Sequence, residues 1–175
     1  MCMGLLLGVI GNPAKHSLSP WMQGEFLKKA GINGIYRAYE MEQQDLSMFM
    51  KVFRSMEIDG FNITIPYKQE IMKYVDQLDE SAEKIGAVNT VVYKNGKWIG
   101  YNTDGIGYVQ SLNYQYPHFF QNKSTKKILI LGAGGAARGI YYALNDAGFL
   151  HIDIANRTVS KALDIRKIKK DNVTT

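Results

Sequence analysis

The sequence predicts an α/β protein: an N-terminal α/β domain with a mostly parallel sheet, followed by the first half of a second α/β domain. Short apolar or β-branched runs alternate with helical periodicities along the whole chain. A glycine-rich turn, Gly132-Ala133-Gly134-Gly135-Ala136, stands between one such run and a helical pattern. A polar stretch over residues 114–126 separates the two kinds of pattern, which places the domains at 1–113 and 127–175.

The elements follow in order. Leu5–Ile10 is a short apolar strand, ended by Gly11, Asn12 and Pro13. Ser19 then reads as an N-cap with Pro20 at the helix start, and Gly31 stops that helix. Ile35–Tyr39 is the next strand. Asp45 is placed to cap a helix whose apolar residues Leu46, Phe49, Met50 and Phe53 keep helical spacing. Phe61–Ile65 is a strand whose ladder Pro66 stops. A helical pattern resumes over Gln69–Val75, with a short helical turn at Ser81–Ile85. Asn95-Gly96 predicts a hairpin between Val88–Tyr93 and Lys97–Gly100. Gly105–Leu112 reads as a helix. Beyond the polar stretch come strand Lys127–Leu131, helix Ala136–Ala147, a stop at Gly148 and strand His151–Ala155.

Composition excludes several classes. With 46% hydrophobic and 11% aromatic residues, the 175-residue chain can bury a core. The single cysteine, Cys2, cannot form an intrachain disulfide, and nothing near it in sequence would activate the thiol. The apolar run Met3–Ile10 is too short to span a membrane and has no basic flank, so the reading is cytoplasmic, without a membrane. Asn62-Ile63-Thr64 and Asn156-Arg157-Thr158 match the glycosylation tripeptide, which a cytoplasmic protein does not use. Of the net charge of +5, residues 161–175 hold +3 (Lys161, Arg166, Lys167, Lys169 and Lys170 against Asp164 and Asp171). No aromatic interleaving accompanies that stretch, so nucleic acid is not an expected partner. Three scattered histidines, His16 among them, show no metal-ligand spacing.

Two segments carry chemistry. Gly60–Lys68 runs from a strand into a lysine just past a proline, and Tyr101–Gly105 puts Asp104 between a hairpin and a helix. An ammonium and a carboxylate at element ends are the parts of a proton-transfer pair if the fold joins them; otherwise Lys68 is a solvated charge. In the glycine turn, Gly132 and Gly134 take the first two places of a dinucleotide fingerprint and Ala137 the third. Glycines clear the approach of a diphosphate to a helix N-terminus; the alternative is a turn that serves packing alone. Asp153 has roughly the spacing of an NAD-selecting acid but lies inside its strand. The loop Asn156-Arg157-Thr158, with Lys161 beyond, offers a phosphate site and favours NADP over NAD.

The motifs resemble those of the shikimate dehydrogenase family. Gly11-Asn12-Pro13 with His16–Pro20, Asn62-Ile63-Thr64 with Pro66 and Lys68, Gly86–Thr90, Asn102–Gly105, Gly132–Arg138 and Asn156-Arg157-Thr158 occur in that family's order across residues 5–161. The resemblance implies a substrate domain, a Rossmann domain, and reversible NADPH-dependent reduction of 3-dehydroshikimate to shikimate in aromatic amino-acid biosynthesis. It assigns the substrate carboxylate to Ser17 and Ser19, and the ring hydroxyls to Thr64, Asn89 and Asp104. Lys68 is then the proton donor or acceptor, and oxidation is expected to quicken toward alkaline pH. Glu80 takes a cofactor-side contact. Helix capping by the serines and a turn role for Asn89 are the structural alternatives.

Two departures stand out. Gln23-Gly24 replaces the family's usual His-Asn pair, and a glycine inside a helix costs about 1 kcal/mol relative to alanine. The chain also ends shortly after the second strand of a Rossmann unit, before the family's later tyrosine and glutamine contacts, so an incomplete cofactor domain is expected. Open strand edges and an apolar sheet face there favour association, as in a homodimer. Alternative readings are an NAD-using quinate/shikimate dehydrogenase paralogue and a non-catalytic shikimate-binding module.

Overall fold

The computed structural model describes residues 4–167; Cys2 and Lys169–Asp171 lie outside them. Two compact units make up the chain, Met1–Tyr101 and Asn102–Thr175. That division falls earlier than the polar stretch, because the helix after Tyr101 packs on a helix of the second unit.

The first unit comprises β1 (Leu5–Gly11), α1 (Ser19–Lys29), β2 (Gly34–Glu40), α2 (Leu46–Ser55), β3 (Gly60–Ile63), β4 (Gln77–Leu78), α3 (Glu80–Ile85), β5 (Thr90–Lys94) and β6 (Lys97–Tyr101). Its sheet has the order β2-β1-β3-β5-β6-β4. The pairings β2–β1, β1–β3 and β4–β6 are parallel, and those of β5 with β3 and β6 are antiparallel. Asn95 (φ 53°) and Gly96 (φ 77°) make the tight hairpin between β5 and β6 that their sequence predicts.

Local chemistry departs from expectation at three places. Neither Ser19 nor Asp45 caps its helix with its side chain. The residues at those cap positions, Leu18 and Asp45, already have right-handed helical backbone, whereas a side-chain cap needs an extended one. Instead the Ser17 hydroxyl accepts from the Ser19 N–H at 3.2 Å. The helical pattern over Gln69–Val75 yields only a 3-10 turn, Glu70–Lys73. The chain beyond it is drawn onto the edge of β6, where Asp76 N–H donates to the Trp98 carbonyl (2.9 Å) and Asp79 N–H to that of Gly100 (2.8 Å). The short strand β4 results. By contrast, Asp79 does cap α3, accepting from Ser81 N–H at 2.9 Å, and Gly86 (φ 69°) ends it.

The core lies between the sheet and α2. Leu46, Met50 and Phe53 from α2 pack with Ile10, Phe61, Ile63, Val91 and Trp98. Tyr39, Phe53, Phe61 and Trp98 meet edge-to-face in succession, with centroids 4.9, 5.4 and 5.4 Å apart. Each such pair adds about 0.5–1.5 kcal/mol beyond its buried area. Arg54 closes the end of this row, its guanidinium 4.3 Å from the Trp98 ring centre and paired with Asp76 at 3.0 Å.

The second unit contains α4 (Asp104–Gln115), β7 (Lys127–Leu131), α5 (Gly135–Asp146), β8 (His151–Ala155) and α6 (Val159–Lys167), with β7 and β8 parallel in register. The polar stretch before β7 hides an aromatic anchor. It folds into 3-10 turns at Pro117–Phe120 and Lys123–Thr125, and the rings of Phe119 and Phe120 each lie 5.3 Å from that of buried Phe149. One face of the two-stranded sheet is open, with Leu129 61% and Leu131 79% exposed.

Helices α4 and α5 approach closely at two glycines. A Cβ on Gly105 would stand 2.2 Å from the Gly139 carbonyl oxygen. Gly105→Ala is expected to cost about 1–3 kcal/mol, the usual penalty of overpacking. Gly107→Ala, on the same helix with nothing within 4 Å of the added carbon, should instead add about 0.5–1 kcal/mol. Chemical denaturation of the two variants checks the contrast.

Candidate functional site

Parallel pairing of β1 with β3 brings the loops after both strands to the same end of the sheet. β5 runs antiparallel to β3, so its beginning lies there too. Four backbone bonds lace these segments: Thr64 N–H to Ile10 (2.9 Å), Asn12 N–H to Ile65 (2.9 Å), Ile63 N–H to Asn89 (2.8 Å) and Val88 N–H to Lys68 (2.7 Å). Ser17, Ser19, Thr64, Lys68 and Asn89 are thereby gathered at one end of the first unit. The approach is close, since a Cβ on Gly11 would stand 2.3 Å from the Thr64 methyl. These residues offer hydroxyls, an amide and an ammonium, a donor set suited to an anionic, hydroxylated ligand.

Behind them runs a polar network whose members Tyr36, Asn62 and Thr90 were not among the expected site residues. Tyr36 donates its hydroxyl to Asn62 Oδ1 at 2.7 Å. Asn62 Nδ2 donates to Thr90 Oγ1 (3.0 Å) and to the Asn89 carbonyl (3.3 Å), and the Thr90 hydroxyl donates to Asn89 Oδ1 at 3.1 Å. Burial pushes the Tyr36 hydroxyl up to about 12, while a hydrogen bond with the Ser19 side chain works against that shift. Asn62 stood in the sequence as part of a glycosylation-like tripeptide and of a family motif but without a role of its own, and Tyr36 carries no local signal of one.

The loop after β1 has its own anchor. Glu40, the last residue of β2, accepts from Ala14 N–H (2.7 Å) and Lys15 N–H (3.0 Å) through Oε2, and Oε1 pairs with Lys15 Nζ at 3.2 Å. These bonds, the one from Ala14 foremost, hold its carboxyl down at about 2 from an ordinary 4.5.

In the second unit, Gly132 N–H donates to the Ala155 carbonyl at 2.7 Å, so the glycine turn abuts the carboxyl end of β8. The loop Asn156-Arg157-Thr158 leaves from that same end. Only Gly132 needs its glycine backbone (φ 112°), but added Cβ atoms on Gly132, Gly134 and Gly135 all meet open space. Gly134 starts α5 with no side-chain cap, and the first turn, which includes Ala136, carries no acid. An open cradle of backbone amides at a helix N-terminus, with exposed Arg157 and Lys161 nearby in sequence, fits the diphosphate and extra phosphate of NADP. Asn156 Nδ2 donates to the Thr158 carbonyl at 2.8 Å and shapes the loop. Asp153 pairs with Leu129 inside the sheet rather than standing at the strand's end.

The remaining candidates divide between the units. Lys68 belongs to the first, whereas Asp104 opens α4 in the second. The N–H of Asp104 donates to Asn102 Oδ1 at 3.2 Å, and Asn102 is buried. Glu80 is the first residue of α3 in the first unit, apart in sequence and unit from the other cofactor candidates. Among the described residues no group of three or more His, Cys, Asp or Glu side chains is placed to hold a metal ion, and no helix is long and apolar enough to cross a membrane.

Because the Glu40 carboxyl titrates lower in the folded chain, its bonds are fully stabilising above about pH 4.5 and are lost as pH falls toward about 2. Amide exchange at Ala14 and Lys15, corrected for intrinsic rates, should therefore lose protection across that window, and Glu40→Gln should remove the pH dependence.

Comparisons with known proteins point to one family. Residues 9–91 match the family model of the shikimate dehydrogenase substrate binding domain, and residues 117–175 match that of shikimate/quinate 5-dehydrogenase. The NADP(+) shikimate dehydrogenase of Oceanobacillus iheyensis is 49% identical over 164 residues, covering 93% of this chain and 59% of the relative. The crystal structure of Aquifex aeolicus shikimate dehydrogenase superposes with a TM-score of 0.87 at 41% identity, over 96% of this chain and 61% of that one. That of Listeria monocytogenes shikimate 5-dehydrogenase, in complex with shikimate and NAD, gives a TM-score of 0.88 at 35% identity, over 99% and 60%. The chain thus spans about three-fifths of the length of the relatives it matches. Matched in order along both units, it belongs to the shikimate dehydrogenase family.

Proposed function

We propose that the chain carries the substrate side and the beginning of the cofactor side of a cytoplasmic NADP-dependent shikimate dehydrogenase, which interconverts 3-dehydroshikimate and shikimate. The convergence of Ser17, Ser19, Thr64, Lys68 and Asn89 at one end of the first sheet supports this reading best. In it, the two serine hydroxyls take the substrate carboxylate. The Ser17 oxygen accepts from Ser19 N–H, which leaves the Ser17 proton to be donated outward. Thr64 and Asn89 hold ring hydroxyls, with Thr64 set by its backbone bond to β1.

Lys68 gives a proton to the carbonyl oxygen during reduction and takes it back during oxidation. Asp104 is the second catalytic candidate of this reading, a carboxylate suited to a ring hydroxyl. Bound NADP supplies or accepts the hydride. The glycine turn Gly132–Ala136 binds its diphosphate, and Arg157, with Asn156, Thr158 and Lys161, binds the additional phosphate. Glu80 is a further cofactor-side contact in this reading.

A reduced-nicotinamide absorbance assay with shikimate, run beside calorimetric titration of shikimate alone, tests the proposal. Shikimate binding with NADP-dependent turnover is the expected result, and absence of both overturns it. Lys68→Ala should lower turnover by about 10²–10⁴-fold, and unchanged turnover in that variant would remove Lys68 from its role. Arg157→Ala should weaken NADP binding about tenfold and leave NAD binding unchanged, as expected for loss of one charge-assisted phosphate contact.

A further inference from the structure

Glu40 is aimed at the loop that carries the serines. As the last residue of β2 it pairs in register with Gly11, the last residue of β1, so its side chain starts beside the point where that loop leaves the sheet. One carboxylate oxygen, Oε2, accepts from two successive backbone donors, Ala14 N–H at 2.7 Å and Lys15 N–H at 3.0 Å. Those residues open the turn that delivers Ser17, whose N–H donates to the Ala14 carbonyl at 3.0 Å. The Ser17 oxygen then accepts from Ser19 N–H. Upstream, Asn12 gives its N–H to the Ile65 carbonyl and its Nδ2 to Glu42 Oε1 (3.2 Å), but Pro13 follows and has no N–H to give. Among the described residues, the polar bonds that tie residues 13–16 to another element are those to Glu40. The ion pair with Lys15 is the minor part of this grip, because the Lys15 side chain is 77% exposed and solvent screens it.

Resting on the reading of Ser17 as an anchor of the substrate carboxylate, we propose that Glu40 is a positioning residue for that anchor: by gripping the amides of Ala14 and Lys15 it fixes where the turn sets the Ser17 hydroxyl. Ala14 is buried, so its N–H needs the acceptor that Glu40 supplies, and without it the turn shifts to find another. The role requires reach and an acceptor oxygen rather than charge. A through-space electrostatic role would act in the opposite sense, since a carboxylate repels an anionic ligand.

The test uses the full chain with Glu40→Gln, Glu40→Asp, Ser17→Ala, and Glu40→Asp combined with Ser17→Ala. Calorimetric titration with shikimate reads affinity, and amide exchange at Ser17 in the ligand-free chain reads the turn. Glu40→Gln keeps the reach and presents an amide oxygen to both N–H groups, so affinity should stay within about twofold and Ser17 should stay protected. Glu40→Asp keeps the charge but is one methylene short. In it shikimate should bind about tenfold more weakly, the cost of a lost positioning bond, and Ser17 should lose protection. In the Ser17→Ala background the same Glu40→Asp change should cost no further affinity, because the anchor it positions is already gone. Unchanged affinity in Glu40→Asp, a tenfold loss in Glu40→Gln, or additive losses in the combined variant overturns the positioning role alone. Failure of the unsubstituted chain to bind shikimate overturns the substrate reading, and the positioning role with it.

Discussion

The parallel pairing of β1 with β3 is the constraint on which the polar end of the first sheet depends. Adjacent parallel strands deliver both of their following loops to the same end of a sheet, and here those loops carry Ser17 and Ser19 on one side and Thr64 and Lys68 on the other. Backbone bonds then continue across the loops themselves, from Thr64 to Ile10 and from Asn12 to Ile65. Each supplies only about 0.5–1.5 kcal/mol net. Together they fix the relative placement of polar side chains separated by roughly fifty residues. The edge-to-face aromatic row beneath, from Tyr39 to Trp98, holds the sheet against α2.

Polar groups at this end form two sets. One contains the serines, Thr64, Lys68 and the buried Asn89. The other, half-buried Tyr36, Asn62 and Thr90, is joined by side-chain hydrogen bonds that reach Asn89. A polar layer of this kind rigidifies when its bonds are made and is costly when any partner is missing. Glu40 does the same for the loop after β1, through charge-assisted bonds to backbone amides. In the second unit the analogous task falls to backbone alone: a positive-φ glycine, an uncapped helix start and a carbonyl of β8 shape the turn.

Most elements were legible where one local signal decides them. Asn95-Gly96 dictates a tight hairpin, Gly31 and Gly148 adopt positive φ beyond helix ends, and the short apolar run in Lys127–Leu131 marks a strand. Signals failed where a neighbour competed for the same chain. Glu70–Lys73 stops after one 3-10 turn because the segment beyond it is captured by β6. Asp45 has the right chemistry for a cap but the wrong backbone. Phe119 and Phe120 were masked by the polar residues around them, and only Phe149, nearly thirty positions away, reveals them as an anchor. Gly105 reads as part of a functional motif, yet the Gly139 carbonyl beside it supplies a separate structural reason for a glycine.

The sequence by itself determined the α/β class, the glycine turn in its strand–turn–helix setting, and the family, because these rest on local patterns and on motifs kept in order. It also named Ser17, Ser19, Thr64, Lys68 and Asn89 as polar candidates. Only the tertiary structure decided that the five share one end of a sheet, and that Tyr36, Asn62 and Thr90 are joined beside Asn89 by side-chain hydrogen bonds. The physical reason is that strand order, unlike strand formation, depends on pairings between distant segments. The hydroxyl of Tyr36 on β2 reaches Asn62 on β3 across the intervening β1, a contact that no local pattern encodes.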